Sequence, residues 1–176
     1  MKKIRDDFIW PFVVLCTICL ICTLAVAAAY NFTDPEIQRM QAQRAREARL
    51  EVLPRADEFI QISDIELPAG VQEAFRANNG AGFVFLAQSR GYAGNVPFMI
   101  GLDAEGRITG IRMLSNRETI GIGDRVGAPE YLALYYGLTT PDGVDGISGA
   151  TVTVNALVNS LRSAIQAYEL IREINN

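Results

Sequence analysis

The feature that most constrains this chain is a long stretch, from Phe8 to Tyr30, that contains no charged residue. As an α-helix of roughly 23 residues rising about 1.5 Å each, it would span roughly 34 Å. That length is enough to cross the ~30 Å hydrocarbon core of a bilayer. Trp10 and Tyr30 stand near its two ends, where amphipathic aromatic rings prefer to lie. The sequence therefore predicts a transmembrane helix over 8–30, preceded by a basic flank over 1–7.

A cleaved signal peptide is the alternative interpretation of the same stretch. Met1-Lys2-Lys3 resembles the basic start of a signal peptide, and Ala25-Val26-Ala27 resembles a cleavage site. The apolar region of a signal peptide is usually about 7–15 residues long, so this longer stretch favours a retained anchor. Its orientation stays open, because basic residues flank it on both sides: Lys2, Lys3 and Arg5 before it, and Arg39, Arg44, Arg46 and Arg49 after it.

The composition excludes several kinds of chemistry. The 176 residues include no histidine, which removes Ser-His-Asp and Cys-His catalysis and His-ligated zinc or haem. Lys2 and Lys3 are the only lysines, so the rest of the chain has no phosphate-loop or Schiff-base lysine. A formal net charge of −4 argues against a nucleic-acid partner. We therefore expect no catalytic acid–base residue in this chain.

All three cysteines lie inside the uncharged stretch, at Cys16, Cys19 and Cys22. A thiol cluster is one interpretation of this spacing, but thiolates and metal ions are costly in hydrocarbon. We interpret the cysteines as small apolar residues of a membrane helix. The remaining sequence then offers no disulfide, zinc or iron–sulfur site, and we expect no metal.

A polar segment separates the uncharged stretch from the globular part of the chain. Asp34-Pro35 is a typical helix start, with Asp as N-cap and Pro at the first position. The arginine- and glutamine-rich sequence that follows predicts a helix over 35–52, either a solvated stalk or a contact surface for a membrane partner. We expect this stalk to occupy 31–53 and the folded domain to occupy 54–176.

The pattern beyond Pro54 predicts an α+β domain with an antiparallel sheet and flanking helices. A turn at Asp103-Ala104-Glu105-Gly106 joins two of the expected strands into a hairpin. The expected elements are a short helix over 68–77 ended by Asn78-Asn79-Gly80, strands over 83–88, 96–102 and 107–114, a loop over 115–125, a short helix over 129–136 ended by Gly137, a loop over 139–148, and a long amphipathic helix over 151–174.

The segment from Asp145 to Thr153 joins the last expected loop to the last helix. In it, Ser148 has the chemistry of a helix cap, while Gly149 and Ala150 allow another group to approach closely. The free N–H groups and the dipole of a helix N-terminus favour an anion such as a phosphate. On physical grounds alone, these residues favour the alternative, which is a well-capped helix start without a ligand.

Asp145-Gly146-Ile147-Ser148-Gly149-Ala150-Thr151 resembles the flavinylation motif of the FMN-binding subunits of membrane redox-driven ion pumps. These are the G subunit of the Rnf complex and the C subunit of the sodium-pumping NADH:quinone reductase. Gly91-Tyr92-Ala93-Gly94 and the hairpin after it are similar to the central hairpin of that family. Glu118-Thr119-Ile120-Gly121-Ile122-Gly123 is similar to its Glu-Thr-Pro-Gly-Leu-Gly loop, although Ile120 replaces the proline and Asn116 stands where a histidine is frequent. The short chain resembles the Rnf subunit more closely.

The resemblance implies a set of site residues. The hydroxyl of Thr151 would be esterified to the phosphate of FMN by a separate flavin transferase that uses FAD and recognises Asp145. Ser148, Gly149, Ala150 and Thr153 would lie around the phosphate, and Glu118, Thr119 and Gly121 would contact the flavin or position the loop. The alternatives are that Asp145 caps a turn, that Thr153 is a first-turn helix residue and that Glu118 is solvated. Tyr92 would either pack near the flavin ring or belong to the core.

The resemblance also implies a function and a location. The chain would be an electron-transfer subunit of a translocase that moves Na⁺ or H⁺, anchored in the bacterial inner membrane with its domain on the non-cytoplasmic side. Its partners would be the other subunits of an Rnf-type complex. Two alternatives remain: a membrane-anchored scaffold without flavin, and a stand-alone FMN carrier that serves another reductase.

Overall fold

The computed structural model describes residues 10, 12–24, 43–114 and 123–174. The chain divides into two compact units, 1–45 and 46–176, and each is described by itself. In the first unit, residues 12–24 are helical. No helix among the described residues is both long enough and apolar enough to cross a bilayer. The predicted span over 8–30 and the predicted helix over 35–52 both lie partly outside the described residues.

The second unit is built on a five-stranded antiparallel sheet whose strands are adjacent in the order of the sequence. This arrangement confirms the predicted α+β class and the predicted hairpin around Asp103–Gly106. The strands are β1 (Phe59–Gln61), β2 (Val71–Ala77), β3 (Gly82–Arg90), β4 (Asn95–Asp103) and β5 (Ile108–Met113).

Helices precede and follow the sheet. Residues 43–52 form α1, of which 46–52 belong to the second unit. After β5 come a 3₁₀ turn (Gly123–Gly127), α2 (Pro129–Leu132) with a further 3₁₀ turn (Ala133–Tyr135), and α3 (Thr151–Ile174). The short helix expected before Gly137 and the long helix from Thr151 are thus confirmed, and Gly137 takes the positive φ of 80° that suits a helix end.

The predicted helix over 68–77 is wrong, because residues Val71–Ala77 form β2, an inner strand of the sheet. The spacing of Val71, Ala74 and Phe75 fits a helix, but β2 pairs with strands on both sides, and this pairing overrides local preference. The signal for the strand was Asn79-Gly80, a dipeptide typical of hairpin turns, which connects β2 to β3.

The main core lies between α3 and one face of the sheet. Phe85, Phe98 and Ile100 alternate with residues of the opposite face along β3 and β4, and all three side chains are fully buried. They belong to the same apolar cluster as Leu157 and Leu161 of α3. The apolar face predicted for α3 is therefore the face that packs against the sheet.

The opposite face of the sheet packs against α1. Val52, in the last turn of α1, lies against Gly101 and Gly110, which are cross-strand partners in β4 and β5. The hydroxyl of Thr109 donates a hydrogen bond of 2.6 Å to the Val52 carbonyl. A β-carbon on Gly101 would lie 2.2 Å from the same carbonyl oxygen, so this close approach requires glycine.

This packing changes the interpretation of the stalk. Ala48, Val52 and Leu53 are buried, and the Arg49 guanidinium lies 3.7 Å from the centre of the Phe75 ring. Burial lowers the pKa of Arg49, and the nearby Glu73 opposes that shift. The folded unit therefore begins at Arg46, earlier than the boundary expected before Pro54, and residues 46–53 are not a solvated stalk.

The contact between Val52 and the glycine pair predicts a large difference between two glycine substitutions. We expect Gly101→Ala to destabilise the domain by about 1–3 kcal/mol, because the new methyl group must displace the end of α1. Gly94→Ala is the matched control, since no atom lies within 4 Å of its β-carbon position. We expect it to stay within about 0.5 kcal/mol of wild type. Urea unfolding measures both, and equal stabilities would contradict the packing described for Val52.

Candidate functional site

The direction of α3 across the sheet determines where the candidate motif lies. The Tyr168 ring packs against Phe83 at the start of β3, with 5.6 Å between ring centres. Further toward the N-terminus of α3, the Ser163 hydroxyl bonds the Ala69 carbonyl, next to Gly70, whose carbonyl accepts the N–H of Gln88 in β3. Helix α3 is therefore antiparallel to β3. Thr151, roughly 18 Å beyond Ser163 at about 1.5 Å per residue, lies at the end of the sheet that carries the Gly91–Gly94 hairpin.

A tight turn leads into α3. The N–H of Ala150 donates to the Ile147 carbonyl at 3.0 Å, and Gly149 takes a φ of 83°, as expected at the third position of a type II turn. The Ala150 carbonyl then accepts the first helical bond, from the N–H of Val154, at 2.9 Å. The residue at the N-cap is thus Ala150, and Ser148 lies in the turn, so the predicted capping role of Ser148 is wrong.

The first turn of α3 exposes the polar side chain of Thr151 to solvent. Thr151 and Val152 are exposed, whereas Ala150 is buried and anchors the turn. The first N–H groups of a helix have no carbonyl partner within it, and together with the helix dipole they favour an anion. Thr153 is only 2% exposed, which agrees with the alternative that it is a first-turn helix residue. Its contact with a phosphate stays a prediction.

A surface cleft of about 430 Å³ adjoins Thr151. It lies between the loop before the helix and the first turns of α3, and its volume falls within the range of small-molecule sites. Its lining combines residues of the loop before α3 with residues of the helix itself. The lining residues are Pro141, Asp142, Gly143, Val144, Gly146, Ile147, Ser148, Thr151, Val154, Asn155 and Val158.

Two tyrosines of the preceding helical segment hold the motif loop. The Tyr131 hydroxyl donates to the Asp145 carbonyl at 3.2 Å and lies 3.2 Å from the Tyr135 hydroxyl. Since the single proton of Tyr131 goes to Asp145, Tyr135 is the donor between the two phenols. Tyr135 is fully buried, and burial, followed by its contact with Tyr131, raises its pKa above the usual range. It therefore remains a protonated donor.

An ion pair holds the start of the same loop. The Asp142 carboxylate accepts hydrogen bonds of 2.7 Å from the Thr140 hydroxyl and from the Arg162 guanidinium of α3. These two partners, Thr140 first, lower the pKa of Asp142. The loop that leads to Thr151 is thus fixed to α3 at Asp142 and to the Tyr131–Tyr135 segment at Asp145.

Comparison with known proteins identifies the family of this chain. Residues 91–166 match the family described as the FMN-binding domain, a range that includes the hairpin, the motif loop and most of α3. The G subunit of the Na⁺-translocating ferredoxin:NAD⁺ oxidoreductase complex of Acetobacterium woodii is 30% identical over 200 aligned residues, covering 96% of each chain. The chain belongs to the family of G subunits of ion-translocating oxidoreductase complexes.

Other members of this family align over most of their length. The G subunit of the ion-translocating oxidoreductase complex of Methanosarcina acetivorans is 27% identical, covering 87% of this chain and 90% of the relative. The corresponding protein of Haemophilus influenzae is 28% identical, covering 84% of each chain. These matches confirm the resemblance to the Rnf G subunit drawn from the sequence motifs.

The structure brings together one group of the residues predicted for the flavin site. Asp145, Ser148, Gly149, Ala150 and Thr151 form one continuous loop and helix start beside the cleft, and Asp145 and Ser148 are exposed. The other group, Glu118, Thr119 and Gly121, lies outside the described residues, so its role stays a prediction. Leu114, which precedes that segment, bonds the Pro97 carbonyl near the hairpin.

The structure excludes one of the two interpretations of Tyr92, and packing of its ring near the flavin stays a prediction. Its side chain is 75% exposed at the turn between β3 and β4, so the core interpretation is wrong.

The residues that hold the motif loop were not predicted from the sequence: Tyr131, Tyr135, Asp142 and Arg162. Only the spacing of four between Tyr131 and Tyr135, which places both rings on one side of a helical segment, offered a signal.

The Asp142 contacts predict a pH-dependent stability difference. Because its pKa is lowered in the folded state, the carboxylate contributes stability above its unfolded pKa of about 3.9, and this contribution is lost as the pH falls below that value. We expect the wild-type chain to melt at a higher temperature than Asp142→Asn at pH 7, and we expect this difference to shrink as the pH falls below about 3.9. Thermal unfolding across this range measures the effect, and a constant difference at all pH values would contradict it.

Proposed function

We propose that this chain is an electron-transfer subunit of a membrane-bound complex that couples electron transfer to the translocation of Na⁺ or H⁺, and that it carries FMN linked through a phosphoester to Thr151. The observation that carries the proposal is the exposed Thr151 hydroxyl at the start of α3, directly after the family motif and within the range that matches the FMN-binding domain. The named relatives, subunits of ion-translocating oxidoreductases, support the assignment to a complex.

The residues at the start of α3 fit the requirements of an FMN phosphate. Thr151 supplies an accessible hydroxyl, and the first-turn N–H groups and the helix dipole stabilise the negative charge of a phosphodiester. Ser148 and Gly149 lie in the turn immediately before Thr151, and the adjoining cleft leaves room beside its hydroxyl. Positive side chains are not required in this arrangement, because oriented backbone groups supply the partial charge.

The attachment itself is a phosphoryl-group transfer without electron transfer. The oxygen of the Thr151 hydroxyl would bond to the FMN phosphorus of FAD, the pyrophosphate bond of FAD would break with AMP as the leaving group, and the hydroxyl proton would be released. A separate flavin transferase that recognises Asp145 would supply the base for this step. The chain needs no catalytic side chain of its own, which agrees with the absence of histidine and of any lysine beyond Lys3.

The bound FMN would supply the electron chemistry, while the protein would supply attachment and placement. A covalent linkage prevents loss of the flavin from an exposed surface. We further propose that 8–30 anchors the chain in the bacterial inner membrane, with the flavin domain on the non-cytoplasmic side. The uncharged anchor contains no ionisable residue suited to ion conduction, so the ion path would belong to the partner subunits.

A gel experiment tests the flavin attachment site. We expect the wild-type chain, co-expressed with the transferase and denatured, to fluoresce under ultraviolet light, and Thr151→Ala to lose all fluorescence because the acceptor oxygen is gone. Ser63→Ala is the matched control, since it removes an exposed hydroxyl outside the motif and should remain fluorescent. A fluorescent Thr151→Ala band would place the linkage elsewhere, and a dark wild-type band would favour the scaffold alternative.

A purification experiment tests the assignment to a complex. We expect the chain, extracted from its native membranes in a mild detergent, to copurify with integral membrane subunits at a fixed stoichiometry. Gel filtration followed by mass spectrometry of the peak measures this. A flavin-bearing chain that elutes alone would instead support the stand-alone FMN carrier.

A further inference from the structure

We infer that Tyr131 is a positioning residue for flavin attachment: its hydroxyl holds the backbone at Asp145, and thereby sets the conformation in which the segment ending at Thr151 is presented to the attaching enzyme. This inference rests on the proposed attachment of FMN to Thr151. It concerns a residue outside the attachment motif, which α2 contributes from an earlier part of the chain.

The hydrogen bonds run from the core to the motif. Tyr135 is fully buried and donates a hydrogen bond to the Tyr131 oxygen, and Tyr131 donates one to the Asp145 carbonyl. The distance between the two oxygens is 3.2 Å in both hydrogen bonds. The two rings meet edge to face, with 5.8 Å between centres and 81° between planes, so the Tyr131 hydroxyl has a fixed position. A rigid phenol thus connects the buried core to one backbone carbonyl of an exposed loop.

The conformation of the motif loop at Asp145 depends on the Tyr131 contact, because few other contacts hold the loop there. Asp145 and Gly146 are exposed, and only their neighbours Val144 and Ile147 pack partly against the core. The turn that begins at Ile147 leads directly to Thr151. Release of the Asp145 carbonyl would therefore broaden the set of loop conformations, including the orientation of the Asp145 side chain and the entry into the turn.

The alternative is that Tyr131 only stabilises the fold, and the chain offers a matched control for that role. The Tyr168 hydroxyl also donates to a loop carbonyl, that of Ala104, at 2.7 Å. Ala104 lies in the β4–β5 turn, close to the end of the sheet where β3 begins and opposite the end that carries Thr151. Tyr168→Phe therefore removes the same type of hydrogen bond without touching the motif loop.

The test measures flavin attachment and stability in the same three full-length chains. Purified wild type, Tyr131→Phe and Tyr168→Phe in detergent are incubated with FAD and the transferase. The intact mass of each chain, followed over time, gives the kcat/KM of the transferase for that chain. Thermal unfolding gives the stability of each chain. We expect Tyr131→Phe to lower kcat/KM by about 2- to 10-fold, the range that one neutral hydrogen bond supplies. We expect Tyr168→Phe to be modified at the wild-type rate even where its stability is lower.

Each other result overturns the inference. Modification of Tyr131→Phe at the wild-type rate would show that the contact is irrelevant to attachment, while the modified wild type would leave the proposed function intact. Equal slowing of both variants, in proportion to their loss of stability, would reduce Tyr131 to a purely structural residue. A wild-type chain that takes up no flavin would overturn the proposed function and the inference with it.

If Tyr131→Phe does not fold, Tyr135→Phe provides a second test. It removes the hydrogen bond that Tyr135 donates to Tyr131, and it should slow flavin attachment to a smaller extent.

Discussion

The packing of α3 against one face of the sheet is the constraint on which the rest of this domain depends. Leu157 and Leu161 fill the core above Phe85 and Phe98, and Tyr168 fixes the far end of the helix against Phe83. A helix held at so many points cannot slide along the sheet without opening cavities. The N-terminus of α3 therefore has a defined position, and its exposed first turn is carried by a rigid element.

The surroundings of that first turn show how an exposed loop can be well defined without being buried. The segment before α3 is tied to Arg162 through Asp142 and to the core through Tyr131 and Tyr135. Such a loop leaves Asp145 and the turn before Thr151 accessible to another protein. Accessibility with a fixed backbone is what a segment needs if a separate enzyme must modify it, since disorder would add an entropic cost to recognition.

The sequence predicted the elements whose pattern is local, and it failed where distant residues decide. The period of α3 and the turn at Asp103–Gly106 were sufficient, because one face of each element must meet the core. The local pattern of β2 predicts a helix because the strands that pair with β2 lie elsewhere in the chain. Likewise, nothing local in residues 46–53 shows that Val52 packs against Gly101 and Gly110, so the sequence predicts a later start for the folded unit than the structure shows. At the candidate site, the motif predicts the attachment residue Thr151, which stays a prediction, whereas the contact of Tyr131 with Asp145 can be seen only in the fold.

The Thr151 hydroxyl at the start of α3 would attach a redox group to a chain that contains no histidine. The most direct measurement is the intact mass of the mature protein purified from its native membranes, followed by fragmentation to locate any addition. We predict a mass increase of one FMN less one water, located at Thr151. An unmodified Thr151 in the mature chain, or an addition located at any other residue, would contradict this assignment.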